Sequence, residues 1–373
     1  MFCWPHFLLW LRLSSLSARL ALLEIEMSHR QPVRVTEINQ YSTIIDARTP
    51  AEFELDHIPG AINCPVLSNE ERVTIGTIYK QVSPFEAKRL GAAMVAANLA
   101  RHLQETFSDK PANWKPLVYC WRGGLRSGSM VTWLRLVGWD AQQLAGGYKA
   151  FRQHVVSQID ATVPQLKLRV LCGATGSAKT RVLLALKAQG MQVIDLEGLA
   201  RHKGSLLGSL PGVEQPSQKH FDTLLAEQLQ TLDLSQPVYI EGESPKIGRV
   251  SLPLLLVQHM RQAEVFEIKA TPDARLEYLL RDYAYLGEHV DKLCERLGFM
   301  KEIQGNETIA RWQAWAREGN LPALFEELMR LHYDPQYERS QTKHFSQWPQ
   351  RRTVEATALH ESAIETLAAK LAI

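Results

Sequence analysis

The sequence predicts an α/β fold of two modules in series, each a parallel sheet flanked by helices. The chain has 373 residues, whereas a single domain usually holds about 100–200. Its content of 45% hydrophobic and 22% charged residues is typical of globular proteins with buried cores. In two places a short apolar strand runs into a glycine-bearing loop and then a helix, the repeating unit of parallel sheets.

Charge and cysteine content narrow the functional classes. The 42 Lys and Arg residues against 40 Asp and Glu give a net charge of +2, so nucleic-acid binding would depend on a local basic patch. The five cysteines, Cys3, Cys64, Cys120, Cys172 and Cys294, are widely spaced and form no Cys-x-x-Cys pair. This pattern argues against a disulfide framework or a structural zinc site, and we expect a cytoplasmic protein.

Residues 1–26 are expected to be an N-terminal extension outside the fold, with Met27 as the start. The apolar run at 7–11 is too short to span a membrane and is followed by Arg12 and Arg19. We expect no membrane partner.

In the first module, a strand ending at Asp46 is followed by a helix with Pro50 in its first turn. A second strand at 116–119 leads into the Cys120 loop, and apolar spacing predicts a helix over 130–137. Residues 143–151 supply a last short strand and turn. The polar stretch around Pro164 predicts a linker.

In the second module, apolar periodicity and turn residues alternate strands with helices. Beyond Pro272 the pattern is helical to residue 331, followed by a basic, aromatic-bearing stretch and a final amphipathic helix. The predicted strands cover 168–172, 192–195, 237–240 and 263–268, and the predicted helices cover 181–189, 221–232 and 254–261.

The loop Cys120-Trp-Arg-Gly-Gly-Leu-Arg-Ser127 places a thiol between a strand end and a helix start. Backbone N–H groups and the helix N-terminus can converge on the sulfur and favour a thiolate. A lone strand-end cysteine is usually a small buried hydrophobe, but two nearby arginines disfavour that interpretation. We predict Cys120 as the catalytic residue and an anion site formed by Arg122, Gly123, Gly124, Arg126 and Ser127.

The loop at 173–180 resembles a Walker A phosphate loop, in which backbone N–H groups, a lysine and a Mg²⁺-binding threonine hold phosphates. Ala178 replaces the usual glycine and is expected to bring a methyl group close to the phosphate path. We therefore expect diphosphate binding and leave nucleotide binding open. The predicted diphosphate site comprises Gly173, Thr175, Gly176, Ser177, Ala178, Lys179 and Thr180, with Thr180 reaching Mg²⁺.

Charged residues follow the next two predicted strands, where ligands of open α/β sheets bind. They are predicted as a second site with roles in Mg²⁺ binding or base positioning: Asp195, Glu197, Arg201, His202, Glu241 and Glu243.

Four segments in order resemble the signatures of a rhodanese domain: Asp46-x-Arg48-x-x-x-Glu52-Phe53, His57-Ile-Pro-Gly-Ala61, the Cys120 loop and Gly146-Gly-Tyr-Lys-Ala150. With the phosphate loop, the Asp195–Ser205 segment and Tyr333-Asp-Pro-x-Tyr337, the whole resembles the tRNA 2-selenouridine synthase family over residues 30–345. The expected domains are a rhodanese domain at 27–158, a linker at 159–166, a P-loop domain with a helical insertion or lid at 167–345, and a C-terminal helical tail at 346–373.

The resemblance implies a transferase that geranylates the wobble 2-thiouridine of tRNA with geranyl diphosphate. It then implies replacement of the geranylthio group by selenium from selenophosphate, through a perselenide (S-selanylcysteine) at Cys120. No tightly bound cofactor is expected. The implied partners are tRNA and a selenophosphate-supplying enzyme.

Two alternatives stay open. The Cys120–Arg126 spacing of six is one longer than the common sulfurtransferase loop and equals that of tyrosine phosphatases, so a rhodanese-type phosphatase or sulfurtransferase fused to a small kinase is the first. A non-catalytic RNA-binding or redox-sensing module is the second. For tRNA contact we predict a patch of four cations with two stacking aromatic residues: Arg339, Lys343, Arg351, Arg352, Phe345 and Trp348.

Overall fold

The computed structural model describes residues 32–372, so the predicted extension at 1–26 and Cys3 lie outside the described residues. The chain divides into two compact units, one ending at Phe151 and the other beginning at Arg152. Each unit is described by itself. Both are parallel sheets with helices, which confirms the predicted α/β class.

The first unit contains a four-stranded parallel sheet with strand order β2-β1-β3-β4. All four residues of the central strand β3 are buried, because helices cover both faces of a parallel sheet. The strand predicted at 116–119 is confirmed with the same bounds. The strands are β1 (Thr43–Asp46), β2 (Ala61–Asn63), β3 (Pro116–Tyr119) and β4 (Gln142–Gln143).

A helical hairpin between β2 and β3 was not predicted. Ser68 and Ser83 cap the N-termini of its two helices through their hydroxyl groups, the usual role of serine at that position. A 3₁₀ helix spans Val35–Gln40, and the α-helices are α1 (Pro50–Leu55), α2 (Asn69–Gln81), α3 (Pro84–Glu105), α4 (Leu125–Val137) and α5 (Gly147–Thr162), of which α5 crosses the boundary between the units.

The second unit contains a five-stranded parallel sheet with strand order β11-β10-β5-β7-β6. The four predicted strands are confirmed to within two residues at each end. The strands are β5 (Lys167–Cys172), β6 (Gln192–Ile194), β7 (Pro237–Glu241), β8 (Lys246–Ile247), β9 (Val250–Ser251), β10 (Glu264–Ala270) and β11 (Arg352–Ala356), with β8 and β9 forming a separate antiparallel pair.

Helices of the second unit cover the sheet and build a separate helical cluster around the fully buried Trp312. They are α6 (Lys179–Ala188), α7 (Leu196–Ala200), α8 (Gln218–Gln230), α9 (Leu254–Met260), α10 (Pro272–Asp282), α11 (Val290–Gly298), α12 (Lys301–Gln304), α13 (Asn306–Arg317), α14 (Leu321–Leu328), α15 (Asp334–His344) and α16 (Glu361–Leu371). Further 3₁₀ helices span Val163–Gln165, Ala284–Glu288 and Trp348–Gln350, and a π-helix spans Met329–Tyr333.

The segment predicted as a linker at 159–166 is regular structure. It forms the last turn of α5 and the following 3₁₀ helix, and Ile159, Val163 and Leu166 are buried. The polar composition that indicated a linker thus belongs to the exposed face of a helix whose other face is packed.

The segment predicted as a separate tail at 346–373 is part of the second unit's core. Strand β11 pairs in parallel with β10, and Ile364, Leu367 and Leu371 of α16 belong to the buried cluster on α6 and the sheet. Without this segment the edge of β10 and this apolar surface would face water, which is unfavourable.

Among residues 32–372, no helix combines the length and the apolar character needed to cross a membrane.

The core position of α16 leads to a stability prediction. Ile364 is 2% exposed, and replacing it with Ala should lower the free energy of unfolding by about 2–5 kcal/mol. Lys370→Ala, on the exposed face of the same helix, should change it by less than about 0.5 kcal/mol. Urea unfolding of the full chain measures both, and equal effects would contradict the packing of α16.

Candidate functional site

Cys120 lies at the carboxyl end of β3 and is 3% exposed. Its sulfur accepts a hydrogen bond from the Gly124 N–H at 3.3 Å and another from the Ser127 hydroxyl at 3.1 Å. Both donors stabilise negative charge on sulfur. The structure therefore brings together the predicted nucleophile and two of its predicted anion-binding residues.

The segment Gly146-Gly-Tyr148 packs closely against the backbone of the Cys120 loop. The N–H of Tyr148 donates to the Cys120 carbonyl at 2.8 Å, and a Cβ at Gly147 would clash with that same carbonyl oxygen. Gly147 also has a φ of +57°, which favours glycine. The glycines are needed so that the backbone can approach the loop this closely.

Other signature residues form a buried support beneath the loop. Arg48 pairs with Asp46 at 2.6 Å, and both are almost fully buried. The guanidinium of Arg48 also lies 3.8 Å from the ring centre of Tyr148, whose hydroxyl donates to Asp56 at 2.6 Å. These buried residues hold the loop in position.

The two loop arginines differ in their environment. Arg126, which was predicted as part of the anion site, forms a bidentate ion pair with Glu52, with N–O distances of 2.5 and 3.2 Å. Arg122 is exposed and, within the described part of the chain, has no acidic partner. In the sequence, Glu52 is recognisable only as part of a rhodanese signature. Its pairing with Arg126, 74 residues away in the chain, depends on tertiary structure.

The phosphate loop lies between β5 and α6 and borders a cavity of about 410 Å³. All seven predicted diphosphate-site residues line it. Lys179 Nζ donates to the Gly173 carbonyl at 3.0 Å, and the buried Ser177 hydroxyl has no hydrogen-bond partner among the described residues. An unpaired buried donor and a lysine without a carboxylate partner fit a site that receives an anion.

Ala178 adopts the left-handed conformation of the glycine that it replaces, with φ of 58° and ψ of 28°. Its side chain is 4% exposed and belongs to the core cluster with Leu171, Val182 and Leu183. Ala178 also borders the cavity, so the expectation that its methyl group lies close to the phosphate path stays a prediction. Its positive φ strains an alanine at this position.

Two of the six second-site residues, Glu197 and Glu243, line the cavity. Glu197 accepts a hydrogen bond from the Thr180 hydroxyl at 2.8 Å. One oxygen of each glutamate lies 2.7 Å from where a Cβ of Gly204 would be, so the two oxygens are no farther apart than twice that distance. Burial and the charge of Glu243 raise the pKa of Glu197 to about 8.

The other four residues of this set do not line the cavity. Asp195 caps α7 by accepting from the Gly198 N–H at 2.7 Å, and the buried Glu241 accepts from the Glu197 N–H at 3.1 Å. Arg201 is the exposed C-cap of α7 and His202 is buried beside it. Asp195 and Glu241 hold the segment that presents Glu197.

Arg275 is a positioning residue that sequence patterns did not reveal. It is 6% exposed, its Nε donates to the Thr175 carbonyl at 2.8 Å, and it pairs with Asp334 at 2.5 and 3.1 Å. It therefore connects the phosphate loop to the Tyr333-Asp-Pro-x-Tyr337 motif. That motif was the only feature of the sequence that linked the segment around Asp334 to the phosphate-loop site.

The remaining lining residues fall into two sets that differ in polarity and burial. We call the first set, which is apolar or aromatic and mostly buried, the deep wall: Val257, Met260, Tyr278, Leu279, Tyr283 and Tyr337. We call the second set, which is polar and exposed or half-buried, the mouth: Arg261, Gln336, Ser340 and His344. Lys203 also lines the cavity, but it pairs with Asp282 at 2.7 Å. The cavity size is typical of a small-molecule site.

The predicted tRNA patch is largely contradicted. Phe345 and Trp348 are 7% and 9% exposed, so they cannot stack on bases. Arg351 and Arg352 pair with Glu267 at 2.6 Å and Glu264 at 3.1 Å. The apolar character of the two aromatic residues serves packing of this segment.

Comparison with known proteins agrees with the two units. Family models of the tRNA 2-selenouridine synthase AAA domain and of the rhodanese-like domain match residues 166–307 and 34–154. A tRNA 2-selenouridine synthase of Alcanivorax borkumensis is 35% identical over 324 residues, covering 79% of this chain and 88% of that protein. The chain belongs to the tRNA 2-selenouridine synthase family.

Two further relatives in this family have the same name. The synthase of Nitrosomonas europaea is 39% identical over 244 residues, which cover 64% of this chain and 63% of the relative. That of Shewanella pealeana is 37% identical over 262 residues, which cover 69% of this chain and 70% of the relative. The resemblance to this family is thereby confirmed, as is a rhodanese-like unit followed by a P-loop unit.

The Glu52–Arg126 pair leads to a pH prediction. Burial raises the pKa of Glu52, but the hydrogen bonds and charge of Arg126 outweigh it, and the pKa lies below the ordinary 4.5. The pair should therefore contribute stability above about pH 5 and lose it as the pH falls through the lowered pKa. Glu52→Gln should cost roughly 1 kcal/mol near neutral pH, and the cost should shrink as the pH falls through the lowered pKa.

Unfolding of wild type and Glu52→Gln at several pH values measures this difference. Glu86→Gln, which alters an exposed ion pair with Arg89 in the same unit, is the matched control and should show no measurable effect. A loss of stability for Glu52→Gln that is no larger at neutral pH than in strong acid, where the carboxyl is protonated in both states, would contradict the ion-pair assignment.

Proposed function

We propose that this chain converts wobble 2-thiouridine in tRNA to 2-selenouridine in two steps, with one step assigned to each loop. One observation supports this division most directly. A hydrogen-bonded thiol in an anion-binding loop and a phosphate loop with an apolar cavity occur on one chain. Family membership supports tRNA as the substrate.

The phosphate-loop cavity is assigned to transfer of a geranyl group. The base sulfur attacks C1 of geranyl diphosphate, a C–S bond forms, the C–O bond breaks, and diphosphate leaves with the electron pair while the base loses its N3 proton. Charge builds on the leaving oxygen, where Lys179 and the loop N–H groups stabilise it. The apolar deep wall suits the hydrocarbon chain, and the polar mouth suits the RNA.

Mg²⁺ is proposed as a companion of the diphosphate. No three His, Cys, Asp or Glu side chains converge on a metal site within residues 32–372. Thr180, Glu197 and Glu243 nevertheless offer a hydroxyl and two carboxylates beside the phosphate loop, which fits an ion that takes its other ligands from phosphates and water. When bound, it would neutralise charge on the diphosphate.

The Cys120 loop is assigned to selenium transfer. Selenium of the bound selenophosphate attacks C2 of the base, so that a C–Se bond forms and the C–S bond breaks with geranylthiolate leaving. The Cys120 thiolate then attacks phosphorus, so that an S–P bond forms and the Se–P bond breaks with its electron pair on selenium, which stays on C2. Water hydrolyses the S–P bond, which restores the thiol and releases phosphate. This route is redox-neutral, whereas a perselenide at Cys120 would need a two-electron oxidant. The loop N–H groups and Arg122 would hold the selenophosphate.

Two substitutions separate the two steps. Cys120→Ser should abolish selenium incorporation and leave geranylation intact, because only the second step uses the thiolate. Lys179→Ala should lower geranylation about 10²–10³-fold, the typical effect of losing one electrostatic partner of the leaving group. Lys179→Ala should still selenate tRNA supplied already geranylated. Mass spectrometry of tRNA nucleosides measures both products.

Cys64→Ser is the matched control for the thiol, since Cys64 is a buried free cysteine of the same unit without a converging Arg-Gly loop. Loss of geranylation in a folded Cys120→Ser protein would show that the steps are not divided in this way. If Lys179→Ala spares geranylation but stops selenation of geranylated tRNA, the two loops have been assigned in reverse.

A revised basic patch at the cavity mouth is proposed to contact the tRNA backbone. Arg261 and His344 line the mouth, and Lys343 is exposed beside them. Burial and the charges of Arg261 and Lys343 lower the pKa of His344, as expected for neighbouring cations. Both long side chains lack an acidic partner among the described residues, so they remain available for phosphates.

Arg261→Ala and Lys343→Ala should each flatten the slope of log K against log salt concentration by roughly 0.7–0.9 for every phosphate that the variant no longer neutralises. Titrations of tRNA binding at several salt concentrations measure the slope. Arg352→Ala, which removes an arginine paired with Glu264, should leave it unchanged. A slope that responds to Arg352 and not to the other two would move the interface away from the cavity mouth.

A further inference from the structure

We propose that Leu328, with Met329 and Phe325, sets the maximum length of the prenyl chain that the phosphate-loop cavity accepts. This inference rests on the proposed function and deepens it. The observation that supports it is a second, smaller void of about 20 Å³ that shares lining residues with the main cavity. Six of its nine lining residues are buried and apolar or aromatic.

The void adjoins the main cavity beside the phosphate loop. Five residues line both spaces: Thr175, Ser205, Leu279, Tyr283 and Tyr333. Leu279 is the link, because a Cβ at Gly176 of the phosphate loop would lie only 3.0 Å from its side chain. A chain attached to a diphosphate in the loop can therefore reach the void by passing Leu279.

The polarity of the cavity lining indicates the direction in which the prenyl chain runs. The mouth carries the charged and polar groups of Arg261, Gln336, Ser340 and His344, which suit the RNA. The inner side is mainly hydrocarbon and aromatic, with Thr175, Ser205 and the Tyr333 hydroxyl as its polar groups. Burying the tail inward removes apolar surface from water, whereas directing it to the mouth would place it among charges.

The base of the void limits the length. Leu207, Phe325, Leu328 and Met329 bound it and are each 4% exposed or less. A space of about 20 Å³ holds roughly one water molecule and cannot hold a further isoprene unit. The π-helix Met329–Tyr333 presents both Met329 and Tyr333 to this space, and such segments often occur at functional sites.

Helix α14 offers a matched pair of substitutions. Leu328 and Leu324 lie one turn apart, are 1% and 0% exposed, and belong to the same buried cluster. Of these two leucines, only Leu328 lines the void. Leu328→Ala and Leu324→Ala should therefore lose similar packing, but only the first should enlarge the prenyl site.

The experiment measures kcat/KM of the full chain for prenyl transfer to 2-thiouridine tRNA, with geranyl diphosphate and with farnesyl diphosphate, which is one isoprene unit longer. The farnesyl-to-geranyl ratio should rise at least tenfold in Leu328→Ala and stay within twofold of wild type in Leu324→Ala. Farnesyl diphosphate should also raise the melting temperature of Leu328→Ala more than that of Leu324→Ala. If the Ala variants do not fold, Leu328→Val and Leu324→Val give the same comparison with smaller cavities.

The outcomes are distinguishable. If wild type transfers geranyl and the two leucine variants share one chain-length ratio, the chain-length assignment is overturned and the proposed function stands. If wild type binds inorganic diphosphate as tightly as geranyl diphosphate and transfers no prenyl group, the chain-length assignment and the proposed function are both overturned. A raised ratio in the Leu328 variants alone supports the assignment of Leu328 as the limit.

Discussion

Parallel strand pairing is the constraint on which both sites depend. Because neighbouring strands run in the same direction, the loops after β3 and β5 leave their sheets at the carboxyl edge, with the N-termini of α4 and α6 behind them. Both loops thus present backbone N–H groups to an anion. The thiol, the lysine and the carboxylates act within this arrangement.

Charge pairing around the two loops leaves few cations for the ligand. Arg126 is paired with Glu52, Lys203 with Asp282 and Arg275 with Asp334. Of the cations within the two loops themselves, Arg122 and Lys179 have no carboxylate partner among residues 32–372. The paired groups stabilise the conformation of the loops, and pairing avoids the free-energy cost of an unpaired buried charge. The unpaired cations can bind an anion.

The sequence predicted the features that depend on local order. The strands at 116–119 and 168–172, the phosphate loop and the Cys120 loop follow from residues adjacent in the chain. Glu52 and Arg275 could not be assigned in this way, because their partners lie 74 and 59 residues away. The predicted tRNA patch failed for a related reason, since composition does not reveal that Phe345 and Trp348 face inward.

The sequence by itself determined the α/β class, the order of the two units, and the positions of Cys120 and Lys179 within their loops, because strand pattern and loop motifs are short-range properties. Tertiary structure alone decided which charges stay unpaired, and it packed Ala178 between the core and the cavity. It also set the size of the space behind the phosphate loop. These properties depend on side chains from distant segments, whose packing no local pattern encodes.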